Sequence, residues 1–323
     1  MADSEDWSFP DEMQPQPQKL RFALDPVLDA MVSLRAEIPE DAFTAQLLGT
    51  ERGGNGIVID DGIVLTIGYL ITEAETIWLT TNRGAVVAGY PLAYDQPTGF
   101  GLVRALGRLD ATPLARGRAA DCARDDKVLV VGHGGRRHAL ASRITDKREF
   151  AGYWEYLLEE ALFTAPAHPE WSGAAVVGPD GRLIGVGSLL VPESVDGKTV
   201  QGNMAVPVDL LEPILASLLA TGASGLAPRP WLGLYAGESD GQLLVGGTAQ
   251  GGPAEKAGVR QGDLVLDVGG QRVTSLAAFL RAVWRRGAAG VRVPLTLGRD
   301  GDLVRVEIAS VDRGALLKRP RMH

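Results

Sequence analysis

Short apolar runs alternate with turn residues along the first two thirds of the chain. They recur about every ten residues with Gly, Asp or Asn between them, which is the pattern of an antiparallel β-sandwich or barrel. We therefore predict a mainly β fold. The predicted strands cover residues 56–60, 63–67, 76–81, 85–90, 100–106, 127–132, 174–178 and 182–191.

A long helix closes this β-rich region. Apolar residues within 210–220 fall on one helical face, and Asp209 precedes them as the predicted N-cap. The small and flexible stretch 221–229 then predicts a linker. We place the first domain at 21–220, after an acidic, Pro/Gln-rich segment, 1–20, that we expect to be a flexible tail.

A second β-rich unit, 230–312, follows the linker. Apolar runs at both of its ends predict strands, and a helix is predicted over 275–286 with Ser275 as its N-cap. The last residues, 313–323, are basic and predict a solvated tail. A length of 323 residues gives room for two domains, which agrees with this division.

Composition and charge restrict the class of protein. The 41 glycines among 323 residues fit the many turns of a β fold. With one cysteine, Cys122, the chain forms no intrachain disulfide and needs no oxidising compartment. The formal net charge of −8 argues against a surface that binds nucleic acid through its phosphates.

Targeting signals and cofactor motifs are also missing from the pattern. The N-terminal segment carries acidic residues and lacks the apolar core of a secretory signal. No apolar run approaches the ~18 residues that a transmembrane helix needs. Cys122, His133 and His138 lack the paired spacing of a metal motif. We therefore expect a cytoplasmic protein with no membrane span, no metal and no cofactor.

The segment 253–273 closely resembles the one that runs through a PDZ domain, and the resemblance spans 230–311. A glycine between Leu232 and Leu234 lets the backbone bend so that successive N–H groups point at one spot, where they can hold a terminal carboxylate. The next strand edge can then accept the peptide as an added strand. This pattern predicts C-terminal or extended peptides as partners. The predicted peptide-binding residues are Leu232, Gly233, Leu234, Phe279 and Val283.

Two uses of these residues remain open. Phe279 and Val283 on the predicted helix can line the groove or fill the core beneath it. The glycine bend at Gly233 can also be only a bend, with a helix that only packs against it.

The first domain resembles the protease domain of the HtrA/DegP family. The match lies in the order of its segments, from GNGIVIDDGIVLT through YDQPTGFGLVRA, VLVVGHGG and WSGAAVVGPDGRLIGV to NMAVP and a helix. Together with the PDZ-like unit it covers about residues 50–311. The resemblance implies a trypsin-like double β-barrel followed by a PDZ domain.

The catalytic positions implied by this resemblance are altered. Ser172 stands at the nucleophile position, but Tyr69 takes the place of the base histidine and Gly99 that of the aspartate. In the nucleophile loop Glu170 and Trp171 replace the glycine and asparagine before the serine, and Gly173 follows it.

Each change weakens the chemistry of a serine protease. A phenol has a reference pKa near ~10 and is protonated at neutral pH, so Tyr69 is a poor general base. Gly99 has no side chain to orient a base. Glu170 replaces a glycine whose N–H, with that of Ser172, makes the oxyanion hole in the family. We therefore predict a pseudoprotease that acts as a binding scaffold through its PDZ domain.

Other interpretations of the sequence stay open. His133, His138 or His168 can serve as a substitute base, which would make the chain an active serine endopeptidase. A purely structural role in a larger assembly is a third interpretation. Family members commonly assemble as trimers, so homo-oligomerisation is also expected. The aromatic stretch 149–163 can fill the barrel core or form a partner surface.

Overall fold

A computed structural model describes residues 7–319 and shows two closed antiparallel barrels followed by a smaller sheet. The mainly β prediction is confirmed. The strands of the first barrel lie in the order β1-β2-β3-β6-β5-β4. They are β1 (Met31–Glu37), β2 (Glu51–Asp60), β3 (Ile63–Ile67), β4 (Thr76–Thr81), β5 (Val86–Asp95) and β6 (Phe100–Ala105).

The second barrel is also a closed antiparallel sheet. Its order is β10-β11-β12-β9-β8-β7, and a hairpin turn at 153–155 joins β8 to β9. The strands are β7 (Lys127–Val131), β8 (Ala139–Gly152), β9 (Tyr156–Ala165), β10 (Ala175–Val177), β11 (Leu183–Val195) and β12 (Lys198–Pro207).

The last sheet has the order β13-β14-β15-β17-β18, with β16 paired to β15. Strand β13 therefore lies at an edge of the sheet. Its strands are β13 (Leu234–Ser239), β14 (Gln242–Thr248), β15 (Leu264–Val268), β16 (Gln271–Arg272), β17 (Arg292–Arg299) and β18 (Asp302–Ala309).

Helices are few and short among the described residues. They are α1 (Leu24–Asp29), α2 (Ala45–Leu48), α3 (Glu212–Thr221), α4 (Pro253–Lys256) and α5 (Leu276–Trp284). Ser275 caps α5 as predicted, since its hydroxyl accepts a hydrogen bond from the Ala278 N–H at 3.1 Å. The cap predicted at Asp209 is wrong: its carboxylate instead accepts from the Ala119 N–H at 2.6 Å, and α3 begins after a separate 3-10 turn.

The chain divides into two compact units. One contains the described residues up to Arg148, then Glu160–Gly225, and the described residues from Lys318 onward; the other contains Glu149–Glu159 and Leu226–Leu317. The sequence assigned all of 21–220 to the first domain. The structure places 149–159, the tip of the β8–β9 hairpin, with the second unit.

The described part of the N-terminal segment is packed rather than flexible, which corrects the prediction for 7–20. Phe9 is buried, and its N–H donates to the Arg137 carbonyl at 3.0 Å. It contacts a small apolar cluster with Val130, Leu140 and Ala174. Aromatic residues in an otherwise acidic segment give it apolar area to bury, which the acidic composition hid. Residues 1–6 lie outside the described part.

The predicted solvated tail at the other end is also partly ordered. Arg313–Leu316 form a 3-10 turn, the Lys318 N–H donates to the Glu73 carboxylate at 2.9 Å, and the Lys318 ammonium pairs with Asp41. Residues 320–323 lie outside the described part. No helix within 7–319 has the length and apolar character that crossing a membrane requires.

Candidate functional site

The side chains of Tyr69 and Ser172 meet directly. Tyr69 lies in the 3-10 turn Gly68–Leu70 after β3, and Ser172 lies in the loop between β9 and β10. The two hydroxyl oxygens are 2.8 Å apart, and the Tyr69 hydroxyl also lies 2.8 Å from the Ser188 carbonyl oxygen. A carbonyl oxygen can only accept, so the phenol proton goes to Ser188 and the Ser172 hydroxyl donates to the Tyr69 oxygen.

This arrangement gives Ser172 a partner that cannot remove its proton. Burial raises the pKa of Tyr69 to about 12, and hydrogen bonds with the Ser172 and Trp171 side chains lower it by less. At neutral pH only a fraction of ~10⁻⁵ of the phenol is ionised. A neutral phenol oxygen whose proton is already in use accepts a hydrogen bond but does not act as a general base.

A buried arginine that the sequence analysis did not single out holds the Tyr69 turn. Arg52 on β2 donates to the carbonyl oxygens of Tyr69 at 2.7 Å and Thr72 at 3.0 Å, and to the Thr44 hydroxyl at 2.8 Å. Burial lowers the pKa of Arg52 to about 10, and the Glu73 carboxylate acts in the opposite direction. The guanidinium therefore stays charged at neutral pH and fixes the segment that carries Tyr69.

The position of the missing acid is a tight turn between β5 and β6. Gly99 has φ +80° and donates its N–H to the Asp95 carbonyl, while its own carbonyl accepts from the Gly68 N–H, both at 2.8 Å. The carboxylate of Asp95 is buried, and it accepts from the N–H of Thr98 at 3.0 Å and from its hydroxyl at 2.7 Å. The nearest acid in the sequence thus closes its own turn.

A backbone N–H of the nucleophile loop is also engaged in a hydrogen bond. The Glu170 N–H donates to Nδ1 of the buried His168 at 3.0 Å, and His168 Nε2 lies 2.9 Å from the His138 carbonyl. Since Nδ1 accepts, the ring proton lies on Nε2 and His168 is neutral; burial lowers its pKa. The N–H that the resemblance assigns to an oxyanion hole is thereby occupied.

The other members of the loop make structural contacts. The Glu170 carboxylate accepts from the Trp7 indole N–H at 3.2 Å. The Trp171 carbonyl accepts from the Ala174 N–H at 3.0 Å, and the Gly173 N–H donates to the Gly187 carbonyl at 2.9 Å. These bonds hold the loop in one conformation.

Asn55 on β2 is the loop's main anchor, and the sequence analysis missed it. Its backbone N–H donates to the Ser172 carbonyl at 2.7 Å, and its amide donates to the Glu170 carbonyl at 2.9 Å. The amide oxygen accepts from the His133 N–H at 2.7 Å. Asn55 is 2% exposed, and the bonds of its side-chain amide are part-buried. An isolated asparagine in a strand carries no signal of this role.

The three candidate substitute bases do not join Ser172. Both ring nitrogens of His168 are engaged elsewhere, as described above. The His138 ring packs against Trp7, and burial lowers the pKa of His133. Among the hydrogen bonds of residues 7–319, none connects a histidine ring to the Ser172 hydroxyl.

The second unit contains the predicted carboxylate nest, and a carboxylate sits in it. The N–H groups of Leu232, Gly233 and Leu234 all donate to the side chain of Glu155, at 3.0, 2.7 and 3.1 Å. Gly233 has φ +67°, which turns the three donors toward one point. The sequence pattern indicates the donors but not the group that they hold.

The other predicted groove residues lie in the core. Phe279 and Val283 on α5 are 1% and 0% exposed and belong to the apolar cluster of the second unit, together with the side chains of Leu232 and Leu234. Of the two uses left open for Phe279 and Val283, the structure shows packing beneath the groove.

The aromatic residues of 149–163 divide between the core and the surface, and a partner surface there stays a prediction. Phe163 is buried in the second barrel, beneath the Arg148 guanidinium. Tyr153 at the hairpin tip is 58% exposed and contacts the ring of Tyr235 on β13.

Within residues 7–319 no group of three or more His, Cys, Asp or Glu side chains is arranged to hold a metal ion.

Two family models match the chain. The model of the trypsin-like peptidase domain matches residues 54–186, and the model of the PDZ domain matches residues 230–309. The two matches fall on the barrels and on the last sheet.

Curated relatives of the chain are named as serine endoproteases. A DegP-like periplasmic serine endoprotease of Chlamydia muridarum is 23% identical over 275 residues, which are 80% of this chain and 53% of that protein. Serine endoprotease DegS of Salmonella typhimurium is 25% identical over 270 residues, 76% of this chain and 73% of that protein. The chain thus spans little more than half the length of the DegP-like relatives.

Solved structures share the fold. The HtrA-type protease AlgW, solved with a decapeptide, matches with a TM-score of 0.53 at 18% identity, over 92% of this chain and 98% of that one. A serine endoprotease from Yersinia pestis matches with a TM-score of 0.52 at 20% identity, over 91% of this chain and 99% of that one.

The names of the relatives overturn the cytoplasmic expectation. The DegP-like proteins of Chlamydia muridarum and Pseudomonas fluorescens are both named as periplasmic, which points to the periplasm. The expectation was wrong because a chain with one cysteine needs no oxidising compartment but is not excluded from one.

Proposed function

We propose that the chain, which matches the models of a trypsin-like peptidase domain and of a PDZ domain and has DegP-like relatives, is an HtrA-type pseudoprotease that binds peptides through its PDZ domain. The observation that carries the proposal is the hydrogen bond between Tyr69 and Ser172. The phenol occupies the place of the general base, yet its proton is committed to Ser188 and its pKa is raised to about 12.

Two further features support the loss of hydrolysis. The turn at Gly99 offers no side chain to orient a base, and the Glu170 N–H is bound to His168. Loss of one triad member lowers turnover by ~10⁴–10⁶ in well-studied proteases, and loss of an oxyanion donor by ~10²–10³. A site that lacks the general base, the acid that orients it and a free oxyanion donor has no route to efficient acyl transfer.

Peptide binding is supported by the second unit. Three converging N–H groups at 232–234 already hold a carboxylate, and β13 beside them is an edge strand. A carboxylate nest next to a free strand edge is the arrangement that captures the C-terminus of a peptide. AlgW, which shares the fold, was solved with a decapeptide.

The absence of catalysis can be tested directly. We expect purified protein to remain unlabelled by a fluorophosphonate probe and to leave casein intact, with no difference from Ser172→Ala. Labelling of the wild type, together with casein hydrolysis that Ser172→Ala abolishes, would show an active endopeptidase. Homo-oligomerisation stays a prediction that light scattering can test.

A further inference from the structure

The carboxylate in the nest belongs to the hairpin tip, 149–159. Oε1 of Glu155 accepts from the N–H groups of Leu232, Gly233 and Leu234, and Oε2 accepts a second contact from Leu232 at 3.0 Å. A peptide C-terminus would present the same two oxygens to the same donors. Glu155 therefore uses the donors on which recognition of a C-terminus depends.

An apolar side chain accompanies the carboxylate. Leu157, two residues further on, is 5% exposed and belongs to the apolar cluster that contains Leu232, Leu234 and Phe279. A PDZ ligand offers a terminal carboxylate together with an apolar side chain that packs beside it. The hairpin tip supplies both from within the chain.

The two ends of the hairpin tip are fixed to α5, which forms the opposite wall of the groove. Arg281 on α5 pairs with Glu149 and Glu159, one on each strand of the hairpin. The tip is thus held at the nest by Glu155 and at the helix by Arg281. Both walls that a peptide would contact are engaged.

The hairpin turn sets the backbone at Glu155. Its φ is +63°, and a three-residue loop such as 153–155 ordinarily ends with a residue in this left-handed region. The bonds from 232–234 hold the carboxylate of Glu155.

We infer that the hairpin tip is an internal ligand of the PDZ groove, and that a partner peptide binds only by displacing Glu155 and Leu157. This inference rests on the proposed peptide-binding function and adds its regulation. The partner that fits is a chain with a free C-terminal carboxylate and a leucine-like last side chain. A chain without that carboxylate cannot replace Glu155 at the three donors.

Competition between the hairpin tip and an external peptide sets how far the apparent affinity for the peptide falls. If the tip occupies the groove 99% of the time, the apparent affinity for an external peptide falls about 100-fold. A tethered competitor acts at an effective concentration of about the millimolar range, so this occupancy corresponds to an intrinsic dissociation constant of about 10 μM between the tip and the nest. Removing the Glu155 carboxylate should therefore strengthen peptide binding rather than weaken it.

The experiment uses the full chain and a fluorescein-labelled decapeptide that ends in leucine with a free carboxylate. Its binding is measured by anisotropy, beside that of the same peptide with a C-terminal amide. We expect Glu155→Ala to bind the free-carboxylate peptide at least tenfold more tightly than the wild type, and the amide to bind neither. Glu160→Ala, which removes an exposed carboxylate of β9, is the matched control and should behave as the wild type.

A second variant tests the contact between the hairpin tip and α5. Arg281→Ala leaves the nest intact and removes only the ion pairs with Glu149 and Glu159. It should therefore also strengthen binding of the free-carboxylate peptide. Equal affinity of the wild type, Glu155→Ala and Arg281→Ala overturns the inference and leaves the proposed function standing.

If no variant binds the peptide, the proposed function fails, and hydrogen exchange then decides about the internal ligand. Faster exchange of the amides of 232–234 in Glu155→Ala than in the wild type supports occupation of the nest by Glu155. Unchanged exchange rules it out.

Discussion

The hydroxyl of Tyr69 links two polar groups of the candidate site. It connects the Ser172 hydroxyl to the Ser188 carbonyl, and Arg52 fixes the backbone of Tyr69. A histidine needs an acid partner to do chemistry at this place, whereas a phenol needs only a donor and an acceptor. A tyrosine at this place therefore agrees with the proposed pseudoprotease.

The first prediction concerns this bridge. Tyr69→Phe removes one hydroxyl and leaves the Ser188 carbonyl and the Ser172 hydroxyl without that partner. We expect a loss of about 1–2 kcal/mol in the free energy of unfolding, measured by urea denaturation. Tyr153→Phe, at a side chain 58% exposed, is the control and should change stability by less than about 0.5 kcal/mol. Equal stability of Tyr69→Phe and the wild type would contradict the bridging role.

Glu155 leads to a prediction about pH. Burial raises its pKa from 4.5 to about 7, while the bonds from 232–234 and the charge of Arg313 act to lower it. Arg313 and the phenols of Tyr235 and Tyr153 are the titratable groups nearby. Because the docked state holds the proton more firmly than the unfolded state, its contribution to stability is fully present below pH 4.5 and is lost as the pH rises to about 7.

The measurement compares the wild type with Glu155→Gln, which keeps an acceptor oxygen and cannot ionise. Between pH 4.5 and pH 8 we expect the wild type to lose up to about 3 kcal/mol relative to this variant in urea denaturation. A constant difference across that range would show that Glu155 does not titrate with a raised pKa.

At the scale of elements, β2 organises the nucleophile loop. Asn55 binds the carbonyls of Glu170 and Ser172 and the N–H of His133, so one strand position of the first barrel fixes a loop of the second. The loop shape thus depends on an amide that is distant in sequence.

Removing that amide should be costly. Asn55→Ala leaves the Glu170 carbonyl and the His133 N–H without this partner at part-buried positions. We expect a loss of about 1–3 kcal/mol in the free energy of unfolding, measured by urea denaturation. Gln201→Ala removes an exposed amide from β12 and should stay within about 0.5 kcal/mol of the wild type. A small effect of Asn55→Ala would mean that the loop is held by its other bonds.

Sequence patterns predicted some elements well and others not at all. The predicted strands 63–67 and 76–81 coincide with β3 and β4, where apolar runs are bounded by turns. Strands β8 and β12 gave no such signal, because each carries charged and polar residues that face solvent along part of its length. The hairpin tip could not be assigned to the second unit, since that assignment depends on contacts with residues far away in the chain.

At the scale of the whole molecule, the site was predictable where a motif sets the position. The segment order located Ser172, Tyr69, Gly99 and the nest at 232–234. Asn55, Arg52 and Glu155 were missed because each acts through a long-range contact, and nothing in its local sequence marks it. The occupied Glu170 N–H was missed for the same reason, since its partner His168 is defined only by the fold.

The proposed loss of hydrolysis involves residues of three separate segments, and this predicts how hard hydrolysis is to introduce. We expect Tyr69→His to show no hydrolysis of casein beyond a Ser172→Ala background, because Gly99 supplies no acid to orient the new imidazole. Tyr69→His with Gly99→Asp should also fail, since the Glu170 N–H still donates to His168 and cannot stabilise an oxyanion.

Fluorophosphonate labelling and casein hydrolysis, measured on the same variants, separate the two barriers. Labelling reports an activated serine, while hydrolysis also needs a working oxyanion hole. If Tyr69→His alone hydrolysed casein in a Ser172-dependent way, Gly99 and the bound Glu170 N–H would not be barriers. If the double variant hydrolysed casein, the His168 contact would have to yield to substrate. Failure of both variants would agree with the proposal that hydrolysis is blocked by the arrangement of the three segments rather than by one residue.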